Sequence, residues 1–240
     1  MYALLYGDTI LDRDALREFM RAQVRGAPLL RACAEGNTAA VAALLSGFWP
    51  FVDAFEKAID RQVAGLPIRP LVERFGRERT HAYFDMARAA VREMHEEEGS
   101  HSLLWQEGAR ARRVDLAEYQ LVDGVERLVA HATTRDPVAF FCWLAGTEYI
   151  AEEMAAYLCE SPRFLALFPE GRWTWGEAHT EVHDGPSHLE IDEDLARAYH
   201  PSDDDAVASR ALWDGIVACQ ALFADAAADV YDRMTMLQPA

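Results

Sequence analysis

Apolar residues recur every three to four positions along most of the chain, the spacing that lays a hydrophobic stripe along one side of an α-helix. Leu212, Ile216, Cys219, Phe223 and Val230 follow this interval and read as the core-facing side of a long helix over 203–236. Strand-like alternation of apolar and polar residues is nearly absent. Segments rich in Ala, Leu, Glu and Arg, separated by Gly, Pro and Asp, predict helices over roughly 11–24, 37–64, 76–112, 115–132, 137–159, 173–199 and 203–236.

Several boundaries carry chemical markers. Asp136-Pro137 supplies an N-cap followed by proline at the first helical position, and Ser161-Pro162 repeats this for a short helix after Cys159. Gly65-Leu66-Pro67-Ile68-Arg69-Pro70 reads as a linker, because proline inside a helix removes a donor and clashes with the preceding turn. His200-Pro201-Ser202-Asp203-Asp204-Asp205 ends one helix and caps the next. There is no internal repeat and no composition break. The expected architecture is a single all-α domain over 1–240, with N-terminal helices and a linker over 1–70, core helices over 71–200 and a C-terminal packing helix over 201–240. Long helices joined by short loops become antiparallel neighbours, here a bundle of about seven.

Composition narrows the function classes. Hydrophobic residues make up 51% of the 240, too many for a disordered chain. A formal charge of −17, with Lys57 the only lysine, leaves no basic stripe for a phosphate backbone, so no nucleic-acid partner is expected. The four cysteines, Cys33, Cys142, Cys159 and Cys219, lie far apart and form no C-x-x-C, as suits reduced thiols in a cytoplasm. The N-terminal residues lack the basic segment of a signal peptide, and no apolar run approaches a membrane span. The expectation is a cytoplasmic protein acting on a small molecule without membrane or nucleic acid, of a size and acidity compatible with a homodimer.

The chemistry lies in carboxylates and imidazoles at helical spacing. Glu98 and His101 are three apart on one predicted helix face, with Glu97 able to replace Glu98. Glu148 sits in the apolar run Phe140-Phe141-Cys142-Trp143-Leu144-Ala145-Gly146-Thr147-Glu148, where a carboxylate is costly to bury unless paired or metal-bound. Glu152 and Glu153, about a turn further, read as supporting or surface groups. Three of the eight histidines fall within 179–188. In an unbroken helix His179 and His188 would point to opposite sides, but Gly185-Pro186 must bend or break it, so that His179, Asp184 and His188 can converge, with His183 as the alternative to Asp184. Carboxylate and imidazole without thiolate suit iron or manganese more than structural zinc. Trp143, Tyr149, Trp173 and Trp175 are candidates to line a substrate pocket, and Arg88 or Arg92 to anchor a substrate carboxylate.

Glu98-x-x-His101 running into Ser102-Leu103-Leu104-Trp105, Thr147-Glu148-Tyr149-Ile150-Ala151-Glu152-Glu153, and His179-x-Glu181-Val182 followed by Asp184 and His188 together resemble the haem-oxygenase-like di-metal oxidases and oxygenases of the TenA/PqqC superfamily. The resemblance implies a seven-helix bundle holding two Fe(II) ions, or manganese, with O2 as co-substrate. Glu98, His101, Glu148, His179, Asp184 and His188 would be the ligands, and Glu148 would bridge. Two ferrous ions supply two electrons to O2; family outcomes include N-oxygenation of amines or guanidines and oxidative C–C cleavage of amino acids or fatty acids. Two departures stand out. A histidine, His183, occupies the place of the family's usual aspartate, and the first-helix glutamate is unassigned, with Glu56 and Glu73 as candidates.

Other readings stay open on the residues. A TenA-type metal-free hydrolase would use Cys142 as nucleophile, PqqC-type oxidation needs no metal, and a non-catalytic helical binding protein would leave the histidines incidental.

Overall fold

Side-chain caps set several helix starts. Asp12 accepts from the Ala15 amide, Asn37 from Ala39 and Ala40, Asp136 from Val138, and Ser161 from Phe164, while Ser187 and Glu190 form a reciprocal capping box. The computed structural model describes residues 4–7, 9–118, 121–180 and 187–237, with side chains described except at 56, 60, 62–64 and 85–100. Among these residues the chain is all-α, with no strand. The helices are Arg13–Gly26 (α1), Pro28–Ala34 (α2), Thr38–Gly47 (α3), Trp49–Gly65 (α4), Ile68–Phe75 (α5), Arg77–Ala111 (α6), Asp123–His131 (α7), Pro137–Cys159 (α8), Pro162–Leu165 (α9), Thr174–Ala178 (α10), His188–Tyr199 (α11) and Asp205–Leu237 (α12).

The count exceeds the expected seven because several predicted helices are broken. The 37–64 segment divides at Phe48, since Pro50 cannot donate inside a continuous helix and falls instead in the first turn of α4. The expected linker at 65–70 is shorter: α5 starts at Ile68, with Pro70 in its first turn, where backbone amides have no helical acceptor. The 115–132 helix is reduced to α7. The described parts of 173–199 are α10 and α11, two separate helices.

Helix α8 is the centre of the packing. It is buried along nearly its whole length and contacts α1, α10, α11 and α12. Helix α12 crosses both α7 and α8 at close range. A Cβ added at Gly124 would stand 2.7 Å from the Ala226 Cα, and one at Gly146 would stand 2.6 Å from the Cys219 Cβ. Thr38–Ile59 and Asp205–Leu237 are long and apolar enough to cross a membrane by length and composition alone, which corrects the expectation that no run reaches that length. Both stretches pack against other helices of the bundle.

Buried carboxylates on α11 tie the N-terminal segment to α8. Asp194 accepts the Leu5 and Tyr6 amides at 2.7 and 2.8 Å. Glu193, 3% exposed, accepts from Arg13 Nη2 at 2.7 Å and from the Tyr149 hydroxyl at 2.8 Å. A buried charge persists only when paired in this way.

Replacing Gly124 with alanine forces backbone apart at the α7–α12 crossing and should destabilise by about 1–3 kcal/mol in denaturant unfolding. Arg13→Ala strands the Glu193 carboxylate and should cost about 3 kcal/mol or more, whereas Lys57→Ala, at an exposed pair with Asp53, should stay within about 0.5 kcal/mol in the same assay.

Candidate functional site

Where α6, α8, α10 and α12 meet the corner between α3 and α4, the bundle leaves a small cavity of about 60 Å³. Phe51 and Phe55 of α4, Trp105 of α6, Ile150 and Met154 of α8, and Phe223 of α12 make it largely apolar. The polar lining comprises His101 and Ser102 from α6, Thr147 and Glu148 from α8, His179 following α10, and Cys219 from α12. An apolar chamber with a few convergent polar groups is the usual form of a small-molecule site.

The His101 and His179 ring centroids lie 4.2 Å apart, and those of Trp175 and His179 lie 3.8 Å apart. His179 is the C-cap of α10, and its Nδ1 lies 2.8 Å from the Trp175 carbonyl. A carbonyl only accepts, so Nδ1 carries the proton and Nε2 keeps its lone pair. Burial pushes the His179 pKa down to about 3, helped by the nearby charges of His101 and His188 and opposed by the Trp175 hydrogen bond. His179 is therefore neutral, with its tautomer set by the end of its own helix.

His101, Glu148 and His179 thus share one cavity. His188 does not line it; it opens α11, close enough to His179 to influence its protonation. The side chains of Glu98, of its alternative Glu97 and of Glu56 lie outside the described residues, as do Asp184 and His183 altogether. Arg88 and Arg92 are in the same position. Among the described residues, no three of His, Cys, Asp and Glu converge tightly enough to hold a metal ion on their own. Glu73 is exposed on α5 and pairs with Arg69 at 2.7 Å, away from the cavity, so it is not the missing first-helix ligand. Glu152 and Glu153 pair with Arg17 and Arg21 of α1, a packing role.

Cys142 does not line the cavity either. Its Cβ and sulfur press against Gly215 of α12, and burial pushes its thiol up to about 12. Of the aromatic candidates only Trp175 reaches the cavity: Trp143 packs among Phe51, Phe55 and Phe140, Tyr149 binds Glu193, and Trp173 stands behind Trp175. Sequence reasoning missed Phe51, Phe55 and Cys219 as lining residues. Their helical spacing is that of ordinary core positions, and no local signal separates a residue facing a cavity from one facing a neighbouring side chain.

No family model matches the chain, and no curated protein is detectably similar in sequence. Among solved structures, a TenA homolog from Pseudomonas syringae pv. tomato str. DC3000 superposes with a TM-score of 0.64 at 17% identity, over 88% of each chain. The architecture of this protein is therefore that TenA-like all-α fold.

Proposed function

We propose that this chain is an oxygen-dependent oxidase or oxygenase that takes a small metabolite with an apolar portion into the cavity and acts on it through iron at the cavity's polar end. The observation that carries the reading is the His101–His179 contact. Two imidazoles from different helices meet in a cavity that Glu148 also lines, and one of them is held neutral with Nε2 available. A ligating histidine commonly donates its other ring nitrogen to a backbone carbonyl, as His179 does.

Carboxylate and imidazole donors suit iron or manganese. His101, Glu148 and His179, which do not converge on an ion by themselves, would hold the metal together with Glu98, one turn before His101 in α6, and with Asp184 and His188. Bound iron supplies the electrons and the binding position for O2. The chain's own residues do the rest. The phenylalanines of α4 and the α8 side chains Ile150 and Met154 exclude water and seat the apolar part of the substrate, while the Trp175 carbonyl holds the proton on His179 Nδ1.

The likeness to a TenA homolog favours a second reading, metal-free hydrolysis by a cysteine. Its nucleophile would have to be Cys219 and not Cys142, because Cys219 alone among the four cysteines lines the cavity. Burial holds that thiol up to about 12, and it donates to the Trp143 carbonyl at 3.4 Å, an environment that disfavours the thiolate.

Anaerobic Fe(II) loading followed by O2 with a panel of amines, amino acids and fatty acids separates the readings. Iron uptake with substrate-dependent O2 consumption supports the first. Turnover that survives a strong chelator and disappears in Cys219→Ser supports the second, and neither metal nor turnover points to a non-catalytic binding protein. His101→Ala and His179→Ala should each weaken Fe(II) binding by about tenfold or more, read by anaerobic titration. In the metal-free protein, His179 stays neutral to about pH 3 when folded but takes up a proton near 6.5 when unfolded. The unfolded state then binds more protons across that window, so stability falls as pH drops from 6.5 towards 3, by about 2 kcal/mol from this group at pH 5. Denaturant curves at pH 7 and pH 5 should show His179→Gln losing correspondingly less than the parent protein.

A further inference from the structure

A second chamber lies between the N-terminal segment, α1, α11 and α12, and it shares no lining residue with the cavity described above. At about 220 Å³ it is the larger of the two, far beyond the roughly 10–15 Å³ that admits one water molecule. Its lining is mixed. Leu4 and Ile10 of the segment and Leu212 of α12 supply apolar surface, while Arg13, Glu190, Glu193, Asp194 and Arg197 supply charge of both signs.

Most of these charges are matched inside the protein. Arg13 bonds Glu190 through Nη1 at 3.0 Å and Glu193 through Nε and Nη2 at 2.9 and 2.7 Å. Arg197 meets Asp205 through Nη2 at 2.6 Å and lies over the Tyr6 ring. Asp194 is the exception. It is 6% exposed and accepts the Leu5 and Tyr6 amides, but among the described residues no cationic side chain hydrogen-bonds to it. Burial pushes its carboxyl above the usual range, against the lowering effect of those amides and of Arg197 nearby. A buried carboxylate met only by neutral donors is costly, and a cation in the chamber relieves that cost.

Asp194 and Arg197 stand three apart on α11, so a carboxylate and a guanidinium lie side by side on one helix face. A guanidinium carries five N–H donors, and the three bonds of Arg13 leave two of them over. A ligand bearing only an ammonium would face the arginines, and one bearing only a carboxylate would face Glu190 and Asp194. A zwitterion satisfies both. We propose that this chamber binds a free aliphatic α-amino acid, with its ammonium on Asp194, its carboxylate on Arg13 and Arg197, and its side chain against Leu4, Ile10 and Leu212. The site needs neither metal nor O2 and stands independently of the oxygen-dependent reading. A bound amino acid also ties down the N-terminal segment, because the Leu5 and Tyr6 amides share its partner Asp194.

Isothermal titration of the full chain with L-valine and L-leucine tests the site. The controls are 4-methylpentanoate and 3-methylbutylamine, each of which keeps the leucine side chain and only one of its charges. Both amino acids should bind, and each control should bind at least about tenfold more weakly, having lost one charge-assisted pair. Asp194→Asn keeps an acceptor for the amides and should weaken leucine binding about tenfold. Ile10→Trp fills the chamber from the segment and should abolish binding at an unchanged melting midpoint; if it melts lower, Asp194→Asn carries the test. Bound leucine should also slow hydrogen exchange at the Leu5 and Tyr6 amides. No binding of either amino acid up to millimolar concentration, a control that binds as well as leucine, or undiminished leucine binding in Asp194→Asn overturns the proposal.

Discussion

Helix α8 is enclosed on nearly every side, so each polar group it carries has to be met inside the protein. Thr147 bonds back to the Trp143 carbonyl, Tyr149 reaches Glu193, and Glu153 meets Arg21. The last two contacts, made to other helices, fix the rotation of α8 about its own axis. Glu148, between Thr147 and Tyr149, is then turned into the cavity shared with His101 and His179. The Arg13–Glu193–Tyr149 connection extends the constraint to the N-terminal segment, which also hangs on Asp194. A structural ion pair far along the sequence therefore helps decide where a candidate functional carboxylate points.

The second constraint is the end of α10. The Trp175 carbonyl there accepts both the backbone amide of the capping residue, at 3.4 Å, and more closely its side chain, at 2.8 Å. Because that residue is His179, the same hydrogen bond that finishes the helix also selects the ring tautomer. Burial then keeps the ring neutral. Local helix chemistry and the requirements of a metal ligand coincide at one residue, which is why the imidazole pair weighs more than the cysteines in the functional reading. Both Cys142 and Cys219 are spent on the close crossing of α8 and α12, where each sulfur-bearing side chain packs against a glycine of the opposite helix.

The all-α class, the span Pro137–Cys159 and the caps at Asp136 and Ser161 were legible in the sequence because they depend on local chemistry: periodicity, missing strand patterns, and side chains that accept amides a few residues ahead. His101, Glu148 and His179 were legible as chemistry, since acids and imidazoles in apolar surroundings need a reason to be there. The break at Phe48, the split into α10 and α11, and the exclusion of Glu73 and Cys142 from the cavity were decided only by tertiary structure. So were the walls of Phe51, Phe55 and Cys219 and the partnership of Glu193 with Arg13. Those outcomes depend on which helix lies opposite and how closely it approaches. That is set by contacts between residues as far apart as Arg13 and Glu193, which no short stretch of sequence encodes.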